Sequence, residues 1–159
     1  MRMRLKQFLA LGLVALAACS PAAVESKQAQ PVAGTAQTHP ISGLRIIPLT
    51  AGVHAFRVEL AASPEEQEKG LMFRKEMGAN EGMLFPMNPP RQAHFWMRNT
   101  VMPLDIIFIG ADRRVLNVVQ AKPYDETPLP SAGLAAAVLE LNVGRAAELG
   151  IGPGTTVKW

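Results

Sequence analysis

A chain of 159 residues with one cysteine, Cys19, can form no internal disulfide, so packing alone must hold it together. Other absences narrow the chemistry. No serine stands in a G-x-S-x-G elbow. The three histidines, His39, His54 and His94, lack zinc-type spacing, and His39 falls in a polar, proline-bearing stretch. No glycine-rich loop leads through a lysine into a long helix. "GIGPGTT", Gly150 to Thr156, has the glycines but not the lysine, and reads as a turn into a last strand. These patterns call for no cofactor and no metal. The uncharged run "FLALGLVALAA", Phe8 to Ala18, has 11 residues, well short of the roughly 20 that cross a bilayer as a helix.

That short run explains itself as an export signal. Arg2, Arg4 and Lys6 precede it, and "LAAC", Leu16 to Cys19, closes it. Small residues before a cysteine suit a lipoprotein signal peptidase, which acts after the thiol has received a diacylglyceryl group. Lipidation of Cys19 also accounts for an unpaired cysteine in an exported chain. The plainer alternative is an ordinary secretory signal with a stray cysteine. Two or three acyl chains would anchor the protein firmly, at about 0.8 kcal/mol per buried methylene. Ser20, rather than an aspartate, favours the outer membrane in a Gram-negative host. The expected location is therefore the periplasmic side of a membrane.

Losing residues 1–18 changes the charge. The full chain has 16 Lys and Arg against 13 Asp and Glu, and the signal holds three of the basic groups. The remainder is 13 against 13. No basic surplus is left to argue for nucleic acid.

Residues 20–40 contain Pro21, Pro31 and Pro40 and few large apolar side chains, as a flexible tether does. Random-coil scaling gives it a reach of about 25 Å. The globular domain is expected over residues 41–159. Its fold class reads as α+β, mainly β: one compact, barrel-like domain of short strands with two short helices. "LRIIPL", "VHAFRVELA", "GMLFPM", "AHFWMRN", "LDIIFIG", "RVLNVVQAK", "AAAVLEL" and "TTVKW" read as strands, with "GADR" as a hairpin turn. "SPEEQEKG", Ser63 to Gly70, carries a capping box, Ser63 with Glu66, and a first-turn proline. "NVGRAAELG" predicts a second short helix, capped by Asn142 and closed by Gly150.

Five motifs occur in order: "GLMFR", "GMLF", "FWMRNT", "PLDIIFI" and "VLELNVG". Together they resemble the prokaryotic family catalogued as domain of unknown function 192, over about residues 44–159. Val101 and Met102 fall where that family has two small or apolar residues. The resemblance implies a compact, mainly β domain, often exported or membrane-tethered, and carries no established activity, substrate or cofactor.

Three sets of residues could carry function. The first lies in "HFWMRNTVMPLD", His94 to Asp105. Strand alternation would put Trp96 and Arg98 on one face, with Phe95, Met97 and Asn99 on the other. Trp96 beside Arg98 can stack a planar group while the guanidinium takes a carboxylate or phosphate. Asn99 and Thr100 could add hydrogen bonds, with Asp105, Arg74 and Glu140 nearby. The bland reading is local turn chemistry. The leading expectation is thus a domain that binds a small polar ligand or an envelope partner.

Asp105 and Glu140 form the second set. Both have strongly apolar neighbours, which would raise a carboxyl pKa. Two such groups about 5–9.5 Å apart could act on a glycosidic bond. A structural ion pair, Arg98 with Asp105 or Arg74 with Glu140, is the alternative. The third set is six methionines between Met72 and Met102, whose thioethers suit Cu(I). Methionine also fills irregular cores.

Overall fold

The run "LDIIFIG" has almost no polar alternation, and a strand of that kind must be covered on both faces. It becomes β4 (Leu104–Gly110), in which every residue is buried. The computed structural model describes residues 37–159, so the expected signal segment, Cys19 and the tether up to residue 36 lie outside the described residues. The elements around β4 are β1 (Ile46–Ala51), β2 (His54–Leu60), α1 (Pro64–Lys69), β3 (Glu81–Phe95), β5 (Val115–Ala121), β6 (Leu129–Asn142), α2 (Arg145–Glu148) and β7 (Val157–Lys158).

The seven strands make one sheet in the order β5-β4-β6-β3-β2-β1-β7. The fold is mostly β, a curled half-barrel with two short helices. Only β2 and β3 pair in parallel, because α1 carries the chain across between them. The sheet's two outer strands approach at one end. There Arg114 bridges Thr156, and the Val115 N–H donates to the Thr155 carbonyl at 2.9 Å. The Arg113 guanidinium stacks over Trp159 at 3.5 Å.

Each face of the sheet has its own core. One holds Leu49, Phe56, Ile107, Leu139 and Leu141, with α2 packed on it through Ala146. The other holds Met83, Phe85, Met97, Met102, Ile106 and Phe108. Gly82 lets β3 approach β6 closely, since a Cβ there would stand 2.6 Å from the Glu140 carbonyl oxygen.

The capping box forms as read. Ser63 Oγ accepts from the Glu66 N–H, and Glu66 Oε2 accepts from the Ser63 N–H at 2.8 Å. Gln67 then ties α1 to β3 by donating to the Pro86 carbonyl at 2.8 Å. The hairpin through "GADR" is present as well.

Three local expectations change. "GMLFPM" and "AHF" are one strand, β3, with its register shifted between Pro86 and Arg91, where two prolines have no N–H to offer the ladder. That strand ends at Phe95, so Trp96 to Asn99 form a turn segment rather than strand. Asn142 does not cap α2. Its amide donates to the Met77 and Gly78 carbonyls, at 3.0 and 3.2 Å, and Gly144 with φ +82 occupies the cap position. Ordered contacts also begin ahead of Ile41: Thr38 bridges Arg45, and His39 reaches Glu59.

Candidate functional site

Three carboxylates in the fold are nearly inaccessible: Glu59, Asp105 and Glu140, at 4%, 1% and 5% exposure. Burying a charge is costly unless it is paired, so their partners separate structural roles from others. Glu59, on β2, is held by Arg74. One guanidinium nitrogen donates to both carboxylate oxygens, at 2.9 and 3.0 Å, and the Ser42 hydroxyl adds a further bond. Asp105, on β4, accepts from the Gly144 N–H at 3.0 Å and the Ala146 N–H at 2.8 Å. It therefore caps α2 from a distant strand, and a carboxylate suits that helix end.

Glu140 has no such support. No cation and no hydrogen bond among the described residues holds its carboxyl, and burial alone pushes its pKa up to about 8. Its β6 position pairs with Met83 on one side and Ile106 on the other, both fully buried and apolar. At pH 7 the group is mostly a neutral acid, able to donate one hydrogen bond and accept others.

Beside this carboxyl lies a cavity of about 350 Å³ that opens to solvent. Its inner wall includes the buried Leu71, Phe85 and Ala93 beside Glu140. Phe85 meets Phe95 edge to face at 5.2 Å, which fixes that side of the wall. The mouth carries the exposed Lys69, Arg91, Trp96 and Arg98. The Arg98 guanidinium stands 5.8 Å from the Trp96 ring and donates to Glu126 at 2.9 Å, in a pair that is more than half exposed. Such an exposed pair contributes little and can be exchanged for a ligand.

Three non-glycine residues adopt left-handed backbone in the loops beyond the cavity lining: Phe73 (φ 62), Asn99 (φ 55) and Tyr124 (φ 61). Each costs on the order of 1 kcal/mol or more. They are locked together across loops. Phe73 N–H donates to the Asn99 carbonyl at 2.9 Å, and Tyr124 N–H to the Thr100 carbonyl at 3.1 Å.

The structure brings together four of the seven residues singled out from sequence. Trp96, Arg98, Thr100 and Glu140 all line the cavity. Asn99 lies in a shallower neighbouring groove with Trp96 and Arg98, and Arg74 borders a third groove beside Phe73. Asp105 borders none of these three. The proposed carboxylate couple does not form a site. Asp105 pairs with Leu141 across the ladder and Ile106 with Glu140, so the two carboxyls leave opposite faces of the sheet. Neither suggested ion pair exists, since Arg74 holds Glu59 and Arg98 holds Glu126. The methionines Met83, Met87, Met97 and Met102 are buried in the core. Among the described residues no three His, Cys, Asp or Glu side chains group as a metal site would need.

Sequence reasoning missed Lys69, Arg91 and the apolar wall. Lys69 ends α1 and Arg91 follows the proline pair, so nothing local marked either as sharing a cavity with Trp96.

The likeness to other proteins covers this same region. A solved protein of unknown function from Novosphingobium aromaticivorans DSM 12444 is 59% identical, with a TM-score of 0.77 over 80% of this chain and 94% of that one. A second, from Sinorhizobium meliloti 1021 and described as a candidate transcription regulator, is 35% identical, with a TM-score of 0.70 over 72% of this chain and 94% of that one. No curated protein matches significantly. The family described as "Uncharacterized ACR", domain of unknown function 192, matches residues 47–159, and the chain belongs to that family.

Proposed function

We propose that this is a lipid-anchored envelope protein whose domain binds a small ligand in the cavity beside Glu140. The observation that carries the reading is the unpartnered carboxyl of Glu140, 5% exposed, on the wall of an open cavity. The same fold supplies the contrast. Glu59 and Asp105 are as deeply buried and fully engaged. An acid set in an apolar wall with no protein partner, its oxygens reaching only the cavity, destabilises the apo protein, and an apolar cavity with a few polar groups is the usual form of a ligand site.

A fragment screen read by thermal shift tests this. Compounds that raise the melting temperature should do so by displacing solvent from the cavity. Replacing Trp96 and Arg98 together by alanine should abolish those shifts and leave the unliganded melting temperature nearly unchanged, because both side chains are about half exposed. Binders that ignore the double variant, or a screen without binders, would remove the cavity as the site.

The anchor rests on "LAAC" and the lone Cys19. A Cys19→Ala variant is expected to move from the membrane to the soluble fraction of the envelope. Retention of that variant in the membrane fraction would refute lipidation as the means of attachment.

A further inference from the structure

The cavity's charge is not that of the protein. Beyond residue 18 the chain balances 13 basic against 13 acidic groups. At the mouth Lys69, Arg91 and Arg98 stand against Glu68 and against Glu126, the exposed partner of Arg98, which leaves one positive charge in excess. Glu140, deep in the wall, adds no negative charge at neutral pH, because burial holds it protonated up to about pH 8. An anion therefore meets a favourable field at the entrance, and a cation meets an unfavourable one.

The interior asks for something different. A protonated carboxyl presents one donor and one acceptor side by side. A secondary amide matches both, its carbonyl taking the O–H and its N–H giving to the C=O. Leu71, Phe85, Met87 and Ala93 make most of the surrounding wall apolar, and the polar Thr100 and Gln67 on it already donate to backbone carbonyls, so the wall favours an apolar group. Resting on the cavity reading above, we infer that the ligand is an apolar-substituted amide bearing a carboxylate, with its amide on the Glu140 carboxyl and its carboxylate among Lys69, Arg91 and Arg98. A free N-acyl amino acid and the C-terminal end of a peptide share this chemistry.

Titration of the full chain in mild detergent with N-acetyl-L-leucine tests the assignment, with N-acetyl-L-leucinamide and L-leucinamide as controls. The neutral amide should bind about tenfold more weakly than the acid, and the cationic compound more weakly still. Glutamine keeps a donor and an acceptor, so Glu140→Gln should bind the acid within about threefold of wild type. Above pH 8 wild type should lose up to about tenfold per pH unit as Glu140 ionises, while Glu140→Gln stays level. Glu140→Met keeps the volume without the hydrogen bonds and should bind about tenfold more weakly or worse. Acetyl-Gly-Ala-Leu binding more tightly than N-acetyl-L-leucine would point to a peptide end, and the reverse to a free acyl amino acid; both support the class. Equal binding of cationic and anionic probes, or equal losses in Glu140→Gln and Glu140→Met, would overturn the class. So would failure of the acid where other fragments occupy the cavity. If no fragment occupies it, the cavity reading itself fails.

Discussion

Replacing Arg74 by methionine should destabilise the fold by about 3–5 kcal/mol, read as a lower urea midpoint. The Arg74 guanidinium is buried against a carboxylate that is 4% exposed. Removing it strands the Glu59 charge where water cannot reach it. The Ser42 hydroxyl donates to that carboxylate but brings no charge, and the His39 ring lies 3.7 Å away. A double variant, Arg74→Met with Glu59→Leu, should recover most of the loss, because a buried pair costs most when only half of it is removed. A single variant losing less than about 1 kcal/mol, or a double variant no better than the single, would contradict this account. Arg74 also lies in the loop whose Gly70, Leu71 and Met72 line the cavity, so the single variant should weaken ligand binding too. Its influence there is one of position, since it touches Glu59 and not the cavity beside Glu140.

Glu140→Met should do the opposite and stabilise the protein, increasingly so as pH rises. In the unfolded chain the carboxyl titrates near its ordinary value of 4.5, and in the folded one burial lifts it to about 8. Between those values unfolding releases a proton. Each pH unit then removes about 1.4 kcal/mol of stability. The penalty is absent below the lower value and complete above the upper one. From pH 5 to pH 8 the gap between variant and wild type should widen by about 3 kcal/mol in urea titrations. Parallel pH profiles for the two proteins would rule out Glu140 as the source. Such a gain, set against lost binding, is the exchange expected where a site is kept at the expense of stability.

Much of the fold was legible because its signals are local. β4 was legible as a strand from a run that is apolar apart from Asp105, and α1 from its start at Ser63 and Glu66. The alternation argument grouped Phe95, Met97 and Asn99 against Trp96 and Arg98; Met97 is buried and Trp96 and Arg98 are exposed, but Asn99 is exposed as well, because the strand stops at Phe95 and alternation ends with it. It misjudged the cap of α2. Asn142 has the right chemistry for a cap, but Asp105 supplies a charged acceptor from 39 residues away.

The site divides along the same line. Sequence alone determined that Trp96, Arg98 and Thr100 stand together and that Glu140 lies in an apolar run, since neighbours in sequence carry that information. Only the tertiary structure decided which carboxyl would go unpartnered. β4 pairs with β6 in a register that sends Asp105 to one face and Glu140 to the other. A slip of one residue would reverse the facing of a whole strand. Arg74 was likewise drawn to Glu59 by a contact between separate elements. Partner choice among buried charges depends on distances through space, and a chain fixes those only after its sheet has closed.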